Sequence, residues 1–293
     1  MTRMAVTAIE NTMYEQFYNL TEDPFRLNPN SKPCFRHGSY NHAKTYMHYA
    51  LHRGEGVVLV TGRSGTGKTA LLRDFIQTIK SESVVTADLV STQLQAADLI
   101  RMIAFSFGID RLTGSENEVI AELERHLSGM HYLGKRPLLL IDEAQNLETE
   151  ALRKIQLLME LCWKSEPLLQ IFLIGRESLH ELLLSDRLKA LYAQINAAIR
   201  LEPLDQQSTG EYIQHRLKQV GWNNDPQLSE DIYPLIFSHS HGIPRLINLI
   251  CSQMLLYGMT EQQHHIGPAD IREVLQQMRD DQILPTPLQQ VTA

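Results

Sequence analysis

The sequence has few basic residues, few cysteines and no long apolar run. These shortages argue against nucleic-acid binding, a disulfide framework and a membrane-spanning helix. Its 27 lysines and arginines are outnumbered by 34 acidic residues, and the net charge of −7 argues against broad nucleic-acid binding, which depends on clustered basic side chains. No apolar run approaches the roughly 20 residues of a membrane-spanning helix. The three cysteines are far apart and odd in number, so they exclude a disulfide framework and predict reduced, mostly buried thiols.

The N-terminus also lacks the uninterrupted apolar core of a secretory signal, because Glu10 and Asn11 interrupt it. We therefore expect a cytoplasmic protein. With 293 residues, 43 % of them apolar, the chain can form a sizeable core and more than one domain. The 12 histidines are scattered, and we do not expect them to hold a metal ion.

Changes of pattern along the chain predict five segments. Residues 1–12 are expected to be a disordered leader, and residues 13–52 an extended, non-helical segment anchored by aromatic rings and followed by a helix. Residues 53–204 alternate between strand and helix patterns. Residues 205–280 show helical periodicities only, which predicts a small all-helical lid domain, and residues 281–293 are expected to be a flexible tail.

The alternating region predicts an α/β domain with a parallel sheet flanked by helices. Four apolar stretches have the length of buried strands: "GVVLVTG", "SVVTADLV", "RPLLLIDEAQNL" and "LLQIFLIG". Helical patterns separate them, among them "KTALLRDFIQTIK" and "ETEALRKIQLLMELCW". Ligands of such sheets bind at the carboxyl ends of the strands, so we expect the site there.

A phosphate-binding loop follows the first of these strands. The stretch "GRSGTGKT" fits the pattern G-x-x-x-x-G-K-[ST] in full, with a strand before it and a helix after it. Glycines let successive backbone N–H groups face the phosphates of a nucleotide. The alternative is an ordinary glycine-rich turn. The predicted nucleotide-binding residues are Gly62, Arg63, Ser64, Gly65, Thr66, Gly67, Lys68, Thr69 and Ala70.

Two acids and one arginine complete the predicted site. Asp142 ends the strand of "LLLIDEAQ" and is expected to bind Mg²⁺ together with Thr69, while Glu143 would act as the general base and Lys68 would assist catalysis at the β- and γ-phosphates. The alternative is that the two acids cap the next segment. Arg245 follows Pro244 at a helix start, from which it could reach a γ-phosphate; otherwise it is a solvated surface residue.

These motifs, in this order, resemble the AAA+ ATPases of the general secretion pathway protein A (ExeA-like) group. The stretch "VVTADLVSTQLQAADLIRMIAFSFGI" is most similar to the subgroup that accompanies exosortase (PEP-CTERM) systems. The resemblance implies an AAA+ P-loop NTPase fold with a helical lid, ATP and Mg²⁺ as cofactors, and Arg245 as the sensor arginine of the lid. It also implies a homo-oligomer, such as a ring, with protein partners in envelope secretion or exopolysaccharide export, peripheral to the inner membrane.

The departures from the family pattern bear on ATP hydrolysis. Where relatives carry Gly-Gln-Pro-Glu after the fourth strand, this chain has Gly175-Arg176-Glu177-Ser178, and Gln194 stands where relatives carry an arginine. Arg176 and Arg187 are candidate substitutes for that arginine. Because the residues of this chain show no peptidoglycan-binding or membrane-spanning extension like that of longer members, we do not expect direct contact with the cell wall.

Three functions stay open from the sequence. An ATP-hydrolysing assembly factor is the main hypothesis, because Glu143 can polarise a water molecule. A nucleotide-gated scaffold with little turnover is the second. A DNA-associated AAA+ regulator of the transposition type is the third, because such proteins share the phosphate loop and the DEAQ motif, although the acidic composition makes nucleic acid an unfavourable partner.

Overall fold

The computed structural model describes residues 14–26, 35–54, 56–79, 83–90, 96–110, 113–164 and 166–283. The predicted leader (1–12), Cys34 and most of the predicted tail (281–293) lie outside these ranges. None of the helices in the described ranges combines the length and the apolar composition that a membrane span requires.

Helices and strands alternate through the first two thirds of the chain. The helices are α1 Tyr14–Phe17, α2 Gly38–Arg53, α3 Lys68–Ile79, α4 Ala96–Ser106, α5 Glu116–Tyr132, α6 Thr149–Met159, α7 Glu177–Leu183, α8 Lys189–Tyr192, α9 Gln206–Lys218, α10 Ile232–Ser240, α11 Pro244–Thr260 and α12 Pro268–Asp280. The strands are β1 Val57–Thr61, β2 Val84–Val90, β3 Arg136–Asp142, β4 Cys162–Trp163, β5 Glu166–Pro167, β6 Gln170–Gly175, β7 Ile195–Arg200, β8 Gln227–Leu228 and β9 His265–Ile266. Single 3₁₀ turns span Ala144–Asn146 and Asp186–Leu188.

The chain divides into two compact units. One, the sheet unit, comprises Arg36–Glu202. The other, the helical unit, joins the described residues up to Phe35 with those from Pro203 onward. Helix α2 therefore belongs to the sheet unit and not with the N-terminal segment. Polar contacts join α2 to this unit: Asp74 of α3 accepts hydrogen bonds from Tyr40 (2.7 Å) and Lys44 (2.6 Å) of α2.

The sheet unit contains a five-stranded parallel sheet in the order β2-β3-β6-β1-β7. Every residue of β1 and β6 is buried, as expected for central strands covered on both faces. The predicted parallel α/β architecture is confirmed. Strand β7 is a fifth strand that the sequence analysis did not predict. Its residues are only partly buried, and its sequence, INAAIR, lacks the long apolar run that marks the central strands.

Strand β6 lies between β3 and β1, although it follows both in the chain. Thr61 of β1 pairs with Gly175 of β6, and Ile141 of β3 pairs with Leu173. Because all three strands are parallel, the residues that follow them meet at one edge of the sheet. This edge collects the phosphate loop, the two acids and Arg176.

Helix α3 fixes the phosphate loop to the sheet through its apolar face. Leu71, Leu72, Phe75 and Ile79 of this helix are buried, at the spacing of one helical face. The ring of Phe75 stacks on Phe172 of β6, with ring centroids 5.5 Å apart. The loop is thus held between a central strand and a tightly packed helix.

In the helical unit, the N-terminal segment packs among the C-terminal helices. Tyr18 and Phe25 are 2 % and 1 % exposed in the same apolar cluster as residues of α9 to α12. Arg216 of α9 donates hydrogen bonds to the carbonyl oxygens of Pro24 (2.6 Å) and Arg26 (3.0 Å). The predicted anchoring by aromatic rings therefore agrees with the structure.

Several local expectations are corrected. The segment predicted to be non-helical begins with the single turn α1, which the prolines do not oppose because the nearest, Pro24, lies beyond it. The helical unit also contains one short parallel pairing, β8 with β9. Cys251 is buried as expected, but Cys162 is exposed, because it lies in the two-residue hairpin β4–β5 and not in the core.

Candidate nucleotide site

The loop after β1 has the backbone that a phosphate cradle needs. Gly65 and Gly67 have φ values of +84° and +99°, in the left-handed region that only glycine adopts readily. A Cβ atom at Gly62 would lie 2.7 Å from the carbonyl oxygen of Leu201, so this position also excludes a side chain. The Thr66 hydroxyl donates to the Arg63 carbonyl oxygen (2.9 Å) and closes the turn.

Lys68 is folded into this loop. Its ammonium group donates to the carbonyl oxygens of Gly62 (2.9 Å) and Arg63 (3.0 Å), and the residue is only 6 % exposed. Burial lowers the pKa of Lys68 below its ordinary value, while the carboxylates of Glu143 and Asp142 act in the opposite direction. Phosphate oxygens close to this group would favour its charged form further.

Thr69 and Asp142 come together although 73 residues separate them. The Thr69 hydroxyl donates to Asp142 Oδ2 at 2.7 Å, and Asp142 is 3 % exposed. A hydroxyl and a carboxylate are hard oxygen donors, and Mg²⁺ is commonly held by one or two such ligands together with phosphate oxygens and water. The pair therefore fits the predicted magnesium site.

Glu143 has a strained backbone. Its φ of 54° and ψ of 35° are left-handed, which costs a non-glycine residue on the order of 1–2 kcal/mol. Its N–H group donates to Asp142 Oδ1 (2.9 Å), and its carbonyl oxygen accepts from Asn146 N (2.9 Å). Strain of this kind concentrates at functional sites, where the surrounding contacts enforce a required geometry.

The carboxylate of Glu143 contacts two further side chains. Gln145 Nε2 donates to Glu143 Oε2 at 2.5 Å, and Arg176 Nε lies 3.9 Å from the same oxygen. Gln145 Oε1 accepts from the backbone N–H of Arg176 at 2.9 Å. The end of β3 is thus connected to the end of β6 through one amide side chain.

The residues of this site fall within a stretch of the chain that is similar to known proteins. Residues 51–183, which include the phosphate loop, both acids and Arg176, match the family model described as "AAA domain".

These residues have the fold of an AAA domain.

Over 260 residues the chain is 34 % identical to "General secretion pathway protein A" of Aeromonas hydrophila. The match covers 88 % of this chain and 47 % of that protein, so the chain spans about half the length of the curated relative it matches.

Solved structures share the fold of the chain. Cdc6p from Pyrobaculum aerophilum superposes with a TM-score of 0.67 at 20 % identity, covering 88 % of this chain and 71 % of that one. A chain of the Drosophila ORC structure bound to DNA gives 0.67 at 18 % identity, with 92 % and 67 % covered. The RuvB protein of Thermotoga maritima gives 0.54 at 14 %, with 81 % and 69 % covered. At these identities the likeness concerns the parallel-sheet P-loop fold of AAA proteins alone.

The remaining predicted residues lie away from the loop or in the other unit. Gln194 precedes β7, and its carbonyl oxygen accepts from Val57 N at the start of β1. It therefore lies at the opposite end of the AAA sheet from the phosphate loop. Arg187 is an exposed residue of a 3₁₀ turn. Arg245 is exposed in the first turn of α11, within the helical unit, and its role as a sensor stays a prediction.

Sequence reasoning missed Gln145 and gave Arg176 only as a departure from the family. Gln145 is part of the quoted "DEAQ", and an amide two residues after a candidate base is a weak local signal. What the sequence does not contain is the strand order that brings the end of β6 next to the end of β3. The contacts of both residues in the AAA domain depend on that order.

Proposed function

We propose that this protein binds ATP with Mg²⁺ and hydrolyses ATP to ADP and phosphate. The observation that carries the proposal is the convergence of Lys68, the Thr69–Asp142 pair and Glu143 at one edge of the sheet. The AAA family match supports an ATPase in general. The same arrangement fits a nucleoside triphosphate better than a neutral ligand, because the buried Lys68 and the start of helix α3 at the loop favour anions.

Each residue has a distinct part in the proposed reaction. The loop from Gly62 to Thr69 binds the phosphates, and Lys68 places its charge at the β- and γ-oxygens. Thr69 and Asp142 would hold a magnesium ion, and that ion would supply positive charge against the phosphates. Glu143 accepts a proton from the water molecule whose oxygen attacks the γ-phosphorus, while the bond to the β–γ bridging oxygen breaks.

The cellular role we propose is support of a bacterial envelope secretion or exopolysaccharide export system. The 34 % identity to a general secretion pathway protein supports the secretion part, and the resemblance to exosortase-associated ATPases motivates the export part. We further propose a cytoplasmic homo-oligomer, such as a ring, that meets the inner membrane through protein partners. ATP binding and hydrolysis would change the conformation that those partners sense.

The experiment compares steady-state phosphate release by the wild type, Glu143→Gln and Lys68→Ala. The wild type should hydrolyse ATP, Glu143→Gln should lose about 10²-fold or more while still binding nucleotide, and Lys68→Ala should lose binding. Equal background rates for the wild type and Glu143→Gln would contradict the ATPase proposal. Light scattering after size exclusion, in ATP and in ADP, tests assembly: an ATP-dependent mass increase in the wild type and not in Lys68→Ala is expected.

A nucleotide-gated scaffold with little turnover is a second candidate. It is favoured by Gln194, which stands where the ATPases that this chain resembles carry an arginine. ATP-dependent assembly without hydrolysis above background would favour it over the ATPase. We place the DNA-associated alternative lower, because the likeness to the DNA-bound ORC structure is one of fold and the net charge is −7.

A further inference from the structure

Gln145 links the two strand ends that bear on the proposed catalytic carboxylate. Its side chain lies between Glu143, to whose Oε2 it donates, and the backbone N–H of Arg176, from which it accepts. Both bonds are short, at 2.5 Å and 2.9 Å. The amide group is therefore held at both of its polar ends.

The chemistry of the neighbours determines which way the amide points. A backbone N–H can only donate, so the oxygen of Gln145 must face Arg176. An ionised carboxylate can only accept, so the NH₂ group must face Glu143. The assignment that the hydrogen-bond network requires is the one that the structure has.

Gly175 provides the space for this arrangement. A Cβ atom at this position would lie 2.7 Å from Gln145 Oε1, so the amide would have to shift. The glycine before Arg176 thus lets the amide reach the backbone at the end of β6. Gln145 in turn contacts Glu143.

We propose that Gln145 is a positioning residue that orients the Glu143 carboxylate for its role as general base. The proposal rests on the proposed ATPase function and adds a residue to it. Loss of the amide donor leaves the strained Glu143 without one of its short contacts, and misplacement of a catalytic group by about 1 Å costs roughly 10²-fold in rate. The phosphate loop is not touched, so nucleotide affinity should be retained.

The experiment measures kcat, KM and nucleotide affinity for Gln145→Ala and Gln145→Glu. Both should lower kcat by roughly 10-fold to 100-fold, with affinity changed by less than about twofold, the pattern of an interaction that matters in the transition state. The glutamate variant keeps the size of the side chain and the acceptor for Arg176. It therefore separates the donor to Glu143 from simple packing.

Gln207→Glu is the matched control, because Gln207 makes the same amide-to-carboxylate contact with Glu211, at 2.9 Å, on the exposed surface of α9. It should retain the wild-type kcat. The inference is overturned if either Gln145 variant keeps a kcat within about twofold of the wild type, or if kcat and nucleotide affinity fall together. In both cases a catalytic loss in Glu143→Gln would still support the ATPase itself, so the two proposals fail separately.

Discussion

Replacement of Gly175 by alanine tests whether the close approach of Gln145 to Gly175 matters for the geometry of the site. The new Cβ atom would lie 2.7 Å from Gln145 Oε1 and 2.8 Å from Leu179 Cδ2. Leu179 is fully buried, so it has little room to turn away. Gln145 can move only by giving up its contacts with Glu143 and Arg176. The substitution should therefore displace the amide and, with it, the carboxylate of Glu143.

We expect Gly175→Ala to lower the free energy of unfolding by about 1–3 kcal/mol, the usual cost of an added methyl group in a filled site. For a unit of this size that corresponds to roughly 2–4 °C in melting temperature per kcal/mol. Thermal unfolding followed by circular dichroism measures the shift. Gly129→Ala is the control: a Cβ atom there meets nothing within 4 Å, and alanine in helix α5 should stabilise by about 0.5–1 kcal/mol.

A double-mutant cycle shows whether the contact with Gln145 causes the loss of stability in Gly175→Ala. In the Gln145→Ala background the contact with Oε1 is gone and only the contact with Leu179 persists, so Gly175→Ala should cost less there. A coupling energy above about 0.5 kcal/mol is expected, since neighbouring residues with a shared contact are not additive. Equal costs in both backgrounds, or no loss of stability in the single variant, would refute the reasoning.

Two further predictions concern the packing around the phosphate loop. Burial alone would raise the pKa of Asp74, but hydrogen bonds from Lys44 and Tyr40 hold that pKa below its ordinary value of 3.8. The charged form therefore stabilises the fold above that value, and the contribution is lost as the pH falls through the lower folded pKa. Asp74→Asn should lower the free energy of unfolding at neutral pH by about 1–3 kcal/mol, and this difference from the wild type should shrink at acidic pH. Denaturation midpoints of both proteins at neutral and at acidic pH measure the difference. Phe75→Ala should lower the free energy of unfolding, measured in urea, by about 3–5 kcal/mol, because the ring is fully buried. Phe105 is 57 % exposed, so Phe105→Ala should lower it far less. Similar losses in the two variants would contradict the packing described.

The sequence was sufficient for those parts of the site that are local in the chain. The phosphate loop carries its strand, its glycines and its helix within about twenty residues, so its backbone conformation follows from residue type alone. Asp142 was predictable because a run of buried apolar residues delivers it to the end of a strand. Parallel alternation of strands and helices then places both motifs at the same edge of a sheet.

Tertiary structure decided what depends on the order of the strands. Because β6 lies between β3 and β1, Gln145 contacts both Glu143 and the backbone of Arg176, which a motif of short range cannot reveal. The burial of Tyr18 among helices more than 180 residues away along the chain is of the same kind. The sequence by itself determined which groups are predicted to bind phosphate and metal, since that prediction depends on residue types and spacing. Long-range packing decided which neighbouring residues orient those groups, because the contacts between them join strands and helices that are remote in the chain.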